Sequence, residues 1–291
     1  MIRKLYFQNA AGDRWGLNGD RGVYAHALAG FGFTLSPSFA DLGRGFFASV
    51  SDETEPQNTL PFTLTFTRNP YETYKTMMDW IAAAKTLTIV YSPVGTQEFY
   101  RDVSVNFVQK GEKNEVGWLE VPCSFFCRTP WYLPSPTKLN LSSAGKDNQK
   151  RYSYRYTKGL RYGQNRSASM SGTIAGAGHI PGSIELSYHG VVANPKIRLV
   201  GNISGKTYGV CSVATALSPT DTLKFSSRYE NAYVKRIAAG GAETDLLDVL
   251  DLSSTPFFHV PVDEPCTISI ESDVAMVGAA DLLIFYYYRS V

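Results

Sequence analysis

The stretch CSFFCRTPWYLP, residues 123–134, decides how this chain is read. Two cysteines separated by three residues stand among aromatics and run into prolines. A structural zinc site draws on closely spaced cysteine pairs with a second pair downstream, and a thiol–disulfide site on C-x-x-C. Neither pattern is present, since Cys211 and Cys266 stand alone and far apart. In a strand, Cys123, Phe125 and Cys127 share one face, because side chains alternate with a period of two. Free cysteine behaves as a small buried hydrophobe. The stretch therefore reads as a core-facing strand. Pro130, Pro134 and Pro136 lack the ladder donor, so they are expected to end the sheet and mark a domain boundary.

Around that boundary there is room for two domains in 291 residues. Hydrophobic residues make up 44 % of the chain, enough to bury a sizeable core, and 18 tyrosines with 16 phenylalanines favour strands. With 28 basic and 26 acidic residues there is no global drive toward nucleic acid or an anionic membrane. No stretch reaches the roughly 18–20 apolar residues of a membrane-spanning helix, and the first residues lack the apolar run of a secretory signal. A soluble protein made in a reducing cytoplasm, with no membrane partner, is expected.

Upstream of the boundary, TLPFTLTFT (59–67) alternates like a half-buried strand. RNPYETYKTMMDWIAAAKT follows, with Asn69 suited to an N-cap, Pro70 to the first helical position and Glu72 to the first turn. Tyr74, Met77, Met78 and Ile81 form one apolar stripe, which predicts a helix over about 70–84 with Lys85 in its last turn. LTIVYSP (87–93) reads as a strand. Residues 98–110 and 115–127 flank GEKN and read as a long hairpin, while FGFTLS (31–36) and GFFASVS (45–51) are further strands.

Downstream, residues 134–166 read as a linker plus the first strand of a second domain. Residues 167–291 hold roughly eight short apolar segments between turn residues, the spacing of a β-sandwich. They are IELSYHG, KIRLVG, TYGVCSV, TLKFSS, AYVKRI, FHVPV, CTISIES and DLLIFYYYR. The fold class is mainly β: a strand-rich first domain (1–133) with one helix and a long hairpin, then a sandwich.

Motifs for chemistry are weak. GNISGKT (201–207) has three residues between its glycines where a phosphate loop has four, so it reads as a hairpin turn. GTIAGAGHIPG (172–182) lacks a βαβ frame and reads as a flexible loop. His26, His179, His189 and His259 show no ligand spacing, and Asp245, Asp248 and Asp251 read as a solvated face. No G-x-S-x-G elbow is present. No catalytic, metal or cofactor site is expected. RYSYRYTKGLRYGQNR carries Tyr152, Tyr154, Tyr156 and Tyr162 among arginines. Such a pattern can stack on bases or sugar rings, or form an edge strand.

Taken in order, several of these stretches resemble the distal tail protein (Dit) family of siphophages, the bacteriophages with long, non-contractile tails. They are FTLTFTRNPYETYKTMMDWI, the hairpin ending in CSFFCRTPWYLP, RYSYRYTKGLRYG, and IELSYHGVVANPKIRLVG with Gly190, Asn194 and Pro195. TLKFSS and the closing LDLSSTPFFHVPVDEPCTISIES complete the series, although the latter lacks the Gly-Asn pair expected before the final strands. The resemblance implies a structural hub at the virion tail tip, in the baseplate, with no enzymatic role. It implies a homohexameric ring with the hairpin as its belt, and a galectin-like or carbohydrate-binding-module-like sandwich set outside the ring. Implied partners are the tail tube protein, the tip fibre or lysin protein, receptor-binding proteins, and genomic DNA passing through without sequence-specific contact. The alternative is a carbohydrate-binding module for host attachment, with Tyr152, Tyr154, Tyr156 and Tyr162 as saccharide platforms. On the hub reading the first domain's strands are expected to be incomplete and to borrow edges from identical neighbours around a sixfold axis.

Overall fold

A computed structural model describes residues 3–32, 39–43, 46–49, 58–95, 97–142, 169–253, 255–274 and 276–291. Two compact units emerge: Met1–Leu133 with Tyr288–Val291, and Pro134–Tyr287.

The first unit contains β1 (Lys4–Asn9), β2 (Arg14–Gly16), β3 (Val23–His26), β4 (Phe39–Gly43), β5 (Phe46–Ser49), β6 (Thr59–Phe66) and α1 (Pro70–Ala83). These are followed by β7 (Leu87–Ser92), β8 (Phe99–Val108), β9 (Leu119–Cys127) and the start of β10 (Trp131–Ser142). Among the described residues, strands β4 and β5 pair with each other and with no other strand. The other pairings are antiparallel and return to their starting point. β1 pairs with β2 and β7, β7 with β8, β8 with β9, β9 with β6, and β6 with β3. β3 meets the end of β2 through an Asn18–Tyr24 bridge and the Ala25 N–H, which donates to the Leu17 carbonyl at 2.8 Å. The base of the first unit is therefore a closed circuit of seven strands. This corrects the expectation of strands that must borrow closure from a neighbour. The short 14–18 segment supplies it: its first half serves β1 and its end serves β3.

Alternation decides what fills the circuit. Leu5 and Phe7, Trp15 and Leu17, the four apolar residues of β6, and Cys123, Phe125 and Cys127 of β9 all join one buried cluster. Phe125 stacks on Phe62 at 5.3 Å and tilts against Phe7 at 5.2 Å. Helix α1 seats its stripe on this cluster, with Met77 buried, Tyr74 edge-on to Phe66 and Trp80 against Trp15. Pro70 holds the first helical position, as its fixed φ favours. Asn69 does not cap by its side chain. It is in the left-handed region (φ 41°), its carbonyl accepts from the Thr73 N–H, and Thr73 Oγ1 donates to the Arg68 carbonyl. Lys85 lies beyond the helix, which stops at Ala83.

The prolines after Cys127 do not end the sheet. Strand β10 runs through Pro134 and Pro136 to Ser142, so strand replaces the linker expected to begin at 134. A proline lacks only its own N–H, so a strand can run through it wherever that donor is not needed by a ladder. Of the expected strand 31–36, residues 31–32 are not in a strand and the rest falls outside the described residues.

The second unit continues with β11 (Ser169–Ile174), β12 (Ile180–Ala193), β13 (Lys196–Gly201), β14 (Thr207–Ser212), β15 (Ala216–Leu217) and β16 (Thr222–Arg228). Then come β17 (Asn231–Ile237), β18 (Glu243–Asp245), β19 (Cys266–Glu271) and β20 (Val277–Tyr288). One antiparallel sheet runs β18–β17–β16–β12–β20 and a second runs β11–β19–β13–β14. Each buries one face: Ile184, Leu186, Tyr188, Leu223 and Phe225 from the first, Ile197, Leu199, Cys266, Ile268 and Ile270 from the second. Sheets apolar on one side bury those sides together, which is the logic of a sandwich. FHVPV supplies only an isolated bridge at Val260 rather than a strand. Of the expected loop 172–182, only residues 175–179 lie between strands.

Candidate assembly surface on the hairpin

The hairpin changes character along its length. From Phe99 to Val103, β8 has β7 on one side, while β9 pairs with β6 from Leu119 to Phe126 and with β8 from Cys123 to Cys127. Past Val103, β8 outruns β7. No described strand pairs with the outer edge of Ser104–Val108, and residues 104–107 are all exposed. A bulge at Asn106 interrupts the register between Val105 and Phe107, which twists the strand as it leaves the body. Val105, Phe107, Val116 and Trp118 are 43 %, 47 %, 68 % and 42 % exposed. Exposed apolar residues beside an unpaired edge are what one β-structure offers another.

The tip lies three residues later than GEKN suggests. Asn114 and Gly117 close it, with Asn114 Oδ1 accepting from the Val116 and Trp118 N–H groups and Gly117 at φ 85°. Asparagine bonding forward to its own backbone, and glycine in the left-handed region, make this turn at 114–117 rather than at 111–114. A latch ties the tip to the start of α1. Tyr71 OH donates to Glu112 Oε2 at 2.5 Å, and Lys110 and Lys113 stand 4.9 and 4.5 Å from the centre of its ring. Bonding to Glu112 raises the Tyr71 pKa, because the carboxylate needs the phenol proton.

Elsewhere the residues weighed for chemistry have structural partners. All four cysteines are free and buried, and burial pushes the thiols of Cys123 and Cys211 up to about 12 and that of Cys266 to about 11. Thiols held protonated in this way are poor nucleophiles and poor metal ligands. His26 Nε2 is 2.8 Å from Thr65 Oγ1, His189 Nδ1 is 2.8 Å from Thr222 Oγ1, and His259 stacks on Tyr229 at 4.0 Å. Asp245 and Asp251 accept from backbone N–H groups two residues on, as turn-forming aspartates do. Among the described residues no group of three or more His, Cys, Asp or Glu could hold a metal ion.

GNISGKT is a hairpin turn between β13 and β14, and its likeness to an anion loop has a cause. Its Ile203 and Ser204 N–H groups point at the carboxylate of Glu264, at 3.2 and 3.0 Å, where they are joined by the Ser204 and Tyr208 hydroxyls. The chain's own carboxylate thus fills the loop. Bonding from Tyr208 and then Ser204 holds Glu264 down at about 2. Sequence reasoning missed Glu264, since nothing local links it to a turn 60 residues away. The proposed saccharide platforms Tyr152, Tyr154, Tyr156 and Tyr162 lie outside the described residues.

Residues 4–128 match the family model for the distal tail protein N-terminal domain. The first unit belongs to the distal tail protein family. The matched span holds the strand–helix run through Asn69 and Pro70 and the whole hairpin. A search of curated protein sequences found no match. Among solved structures, the chain is similar to one from the phage p2 baseplate in its activated conformation with strontium. There the TM-score is 0.67 at 16 % identity, covering 100 % of both chains. The same baseplate with calcium gives 0.65 at 15 %, also over 100 % of both chains. The Dit protein of phage SPP1, described as a paradigm of the hub of the adsorption apparatus in phages infecting Gram-positive bacteria, gives 0.57 at 9 %. That match covers 98 % of this chain and 99 % of that one. At such identities the likeness is one of fold. It extends beyond the distal tail protein domain into the second unit, where the IELSYHGVVANPKIRLVG segment turns from β12 to β13 through Asn194 at φ 48°.

Proposed function

We propose that this distal tail protein is the hub of a siphophage tail tip. Six copies form a ring that joins the tail tube above to the tip fibre or lysin protein below, with DNA passing through and receptor-binding proteins anchored on it. Its role is structural, with no catalytic step. One observation carries the reading: a domain whose strand circuit is already closed nevertheless extends a hairpin with an unpaired edge at 104–108 and exposed Val105, Phe107 and Val116. A monomer gains nothing from such an extension, whereas a permanent ring contact buries on the order of 2,000 Å² or more. Identical head-to-tail contacts give a ring when the rotation closes. The hairpin then acts as a belt that reaches over a neighbour, and the barrel does not borrow strands.

Native mass and negative-stain images of the purified protein test this. The expected result is a mass near six times 32.1 kDa and annular particles. Deleting residues 110–115 is expected to abolish the ring while both units stay folded. A chain that remains monomeric at high concentration even with its tail partners present would contradict the proposal, and an unfolded deletion product would contradict the hairpin's independence from the barrel.

A further inference from the structure

On the outer face of the first unit, three strands contribute one row of side chains. Tyr24 of β3 stands opposite Thr65 of β6, which stands opposite Glu120 of β9. Together with His26, Thr67 and Trp118 these residues line a groove of about 480 Å³. Tyr24 and Trp118 are 47 % and 42 % exposed, a large aromatic surface to leave in water on a closed barrel. Tyr24 is set in place by its neighbour. Gly19, at φ 103°, lies under the ring so closely that a Cβ there would come within 2.7 Å of it.

The polar groups show what the groove lacks. Thr65 Oγ1 is engaged by His26, and Thr67 Oγ1 donates to the Gly22 carbonyl at 3.1 Å. The hydroxyls of the floor are therefore spent inside the fold. What remains is the Glu120 carboxylate beside the π faces of Tyr24 and Trp118, with the Tyr24 hydroxyl and the Trp118 indole N–H at their edges. No described cation lies within ion-pairing distance of Glu120 or over the rings of Tyr24 and Trp118. A carboxylate with no cation beside it, set next to two exposed aromatic faces, offers a cationic side chain both a counter-charge and π surfaces.

We propose that this groove is a docking site for an arginine or lysine side chain presented by a partner protein. Tyr24 and Trp118 supply the π faces and Glu120 the counter-charge. Trp118 also belongs to the hairpin's exposed outer half, so the test is read on the unassembled chain.

The test is fluorine NMR of the full chain labelled with fluorotryptophan. Trp118 is the most exposed of the chain's four tryptophans, and its signal is identified by Trp118→Phe. The probe is the peptide acetyl-Gly-Arg-Gly-amide, with the Gln analogue and N-acetylglucosamine as competitors for the interpretation. The expected result is a saturable shift of the Trp118 signal with the Arg peptide alone. It should weaken by about fivefold in Glu120→Gln and by about threefold in Tyr24→Leu, and fall further as salt is raised. Circular dichroism on each variant confirms the fold, and Glu120→Asp, which keeps the charge, is expected to retain most of the response. An equal shift with the Gln peptide, a shift with the sugar, or no shift with any probe overturns the proposal.

Discussion

At its base the β8–β9 hairpin is held on both sides, by β7 and β6, and turns Cys123, Phe125 and Cys127 into the core. Beyond Val103, β8 loses β7 and keeps only β9, which stays paired with β6 as far as Leu119, and Val105, Phe107, Val116 and Trp118 face water. The outer half is more polar, with Lys110, Glu112, Lys113 and Glu115, yet it still carries exposed Val105, Phe107, Val116 and Trp118. What changes is how many neighbours each strand has, and with it what an apolar residue does. In the base it stabilises the fold, whereas in the projection it remains available to another chain. The difference separates stability from assembly within one supersecondary element.

The largest effect is expected at the base. Phe125→Ala opens a cavity between Phe62 and Phe7 and should cost about 3–5 kcal/mol in denaturant unfolding of the first unit. A cost below about 1 kcal/mol would mean the circuit is not the core. At the projection, Phe107→Ser combined with Val116→Ser should change stability by no more than about 0.5 kcal/mol per site, yet remove the hexamer from native mass spectra. If stability collapses instead, the two halves of the hairpin are not distinct.

The second unit provides a contrast through pH. The Glu264 pKa is lowered from 4.5 to about 2, so its bonds to the 203–208 turn stabilise fully above about 4.5. That contribution is lost progressively as pH falls toward about 2. Unfolding of the second unit followed across this window should show the slope, and Glu264→Gln should flatten it. A wild-type chain with no slope there would show the carboxylate is not held by the turn. The smallest effect belongs to the latch. Tyr71→Phe removes the bond to Glu112 but leaves the ring beneath Lys110 and Lys113, so amide exchange at the tip should quicken with no measurable change in melting temperature.

Much of this was legible in the sequence where the physics is local. Period-two alternation marks β6 and β9, and the 3.6-residue stripe with Pro70 in front marks α1. Cysteine spacing suffices to argue against a metal pair. Closure of the barrel was not legible, because it depends on how Leu17 and Asn18 meet β3, a pairing no periodicity announces. Pro134 and Pro136 misled because proline forbids a strand only where its N–H is needed, and which edge is free is a property of the sheet. The groove beside Trp118 was equally hidden. Its six residues come from three strands and a turn, and each alone reads as ordinary surface.

The central claim is that the hairpin's base completes the barrel while its outer half serves assembly. Peptide-resolved hydrogen–deuterium exchange on the isolated chain and on assembled tails tests it most directly. The account predicts slow exchange over 119–127 in both samples, and exchange over 104–118 that is fast in the isolated chain and slow in tails. Fast exchange over 119–127 in the isolated chain, or over 104–118 in assembled tails, would contradict it.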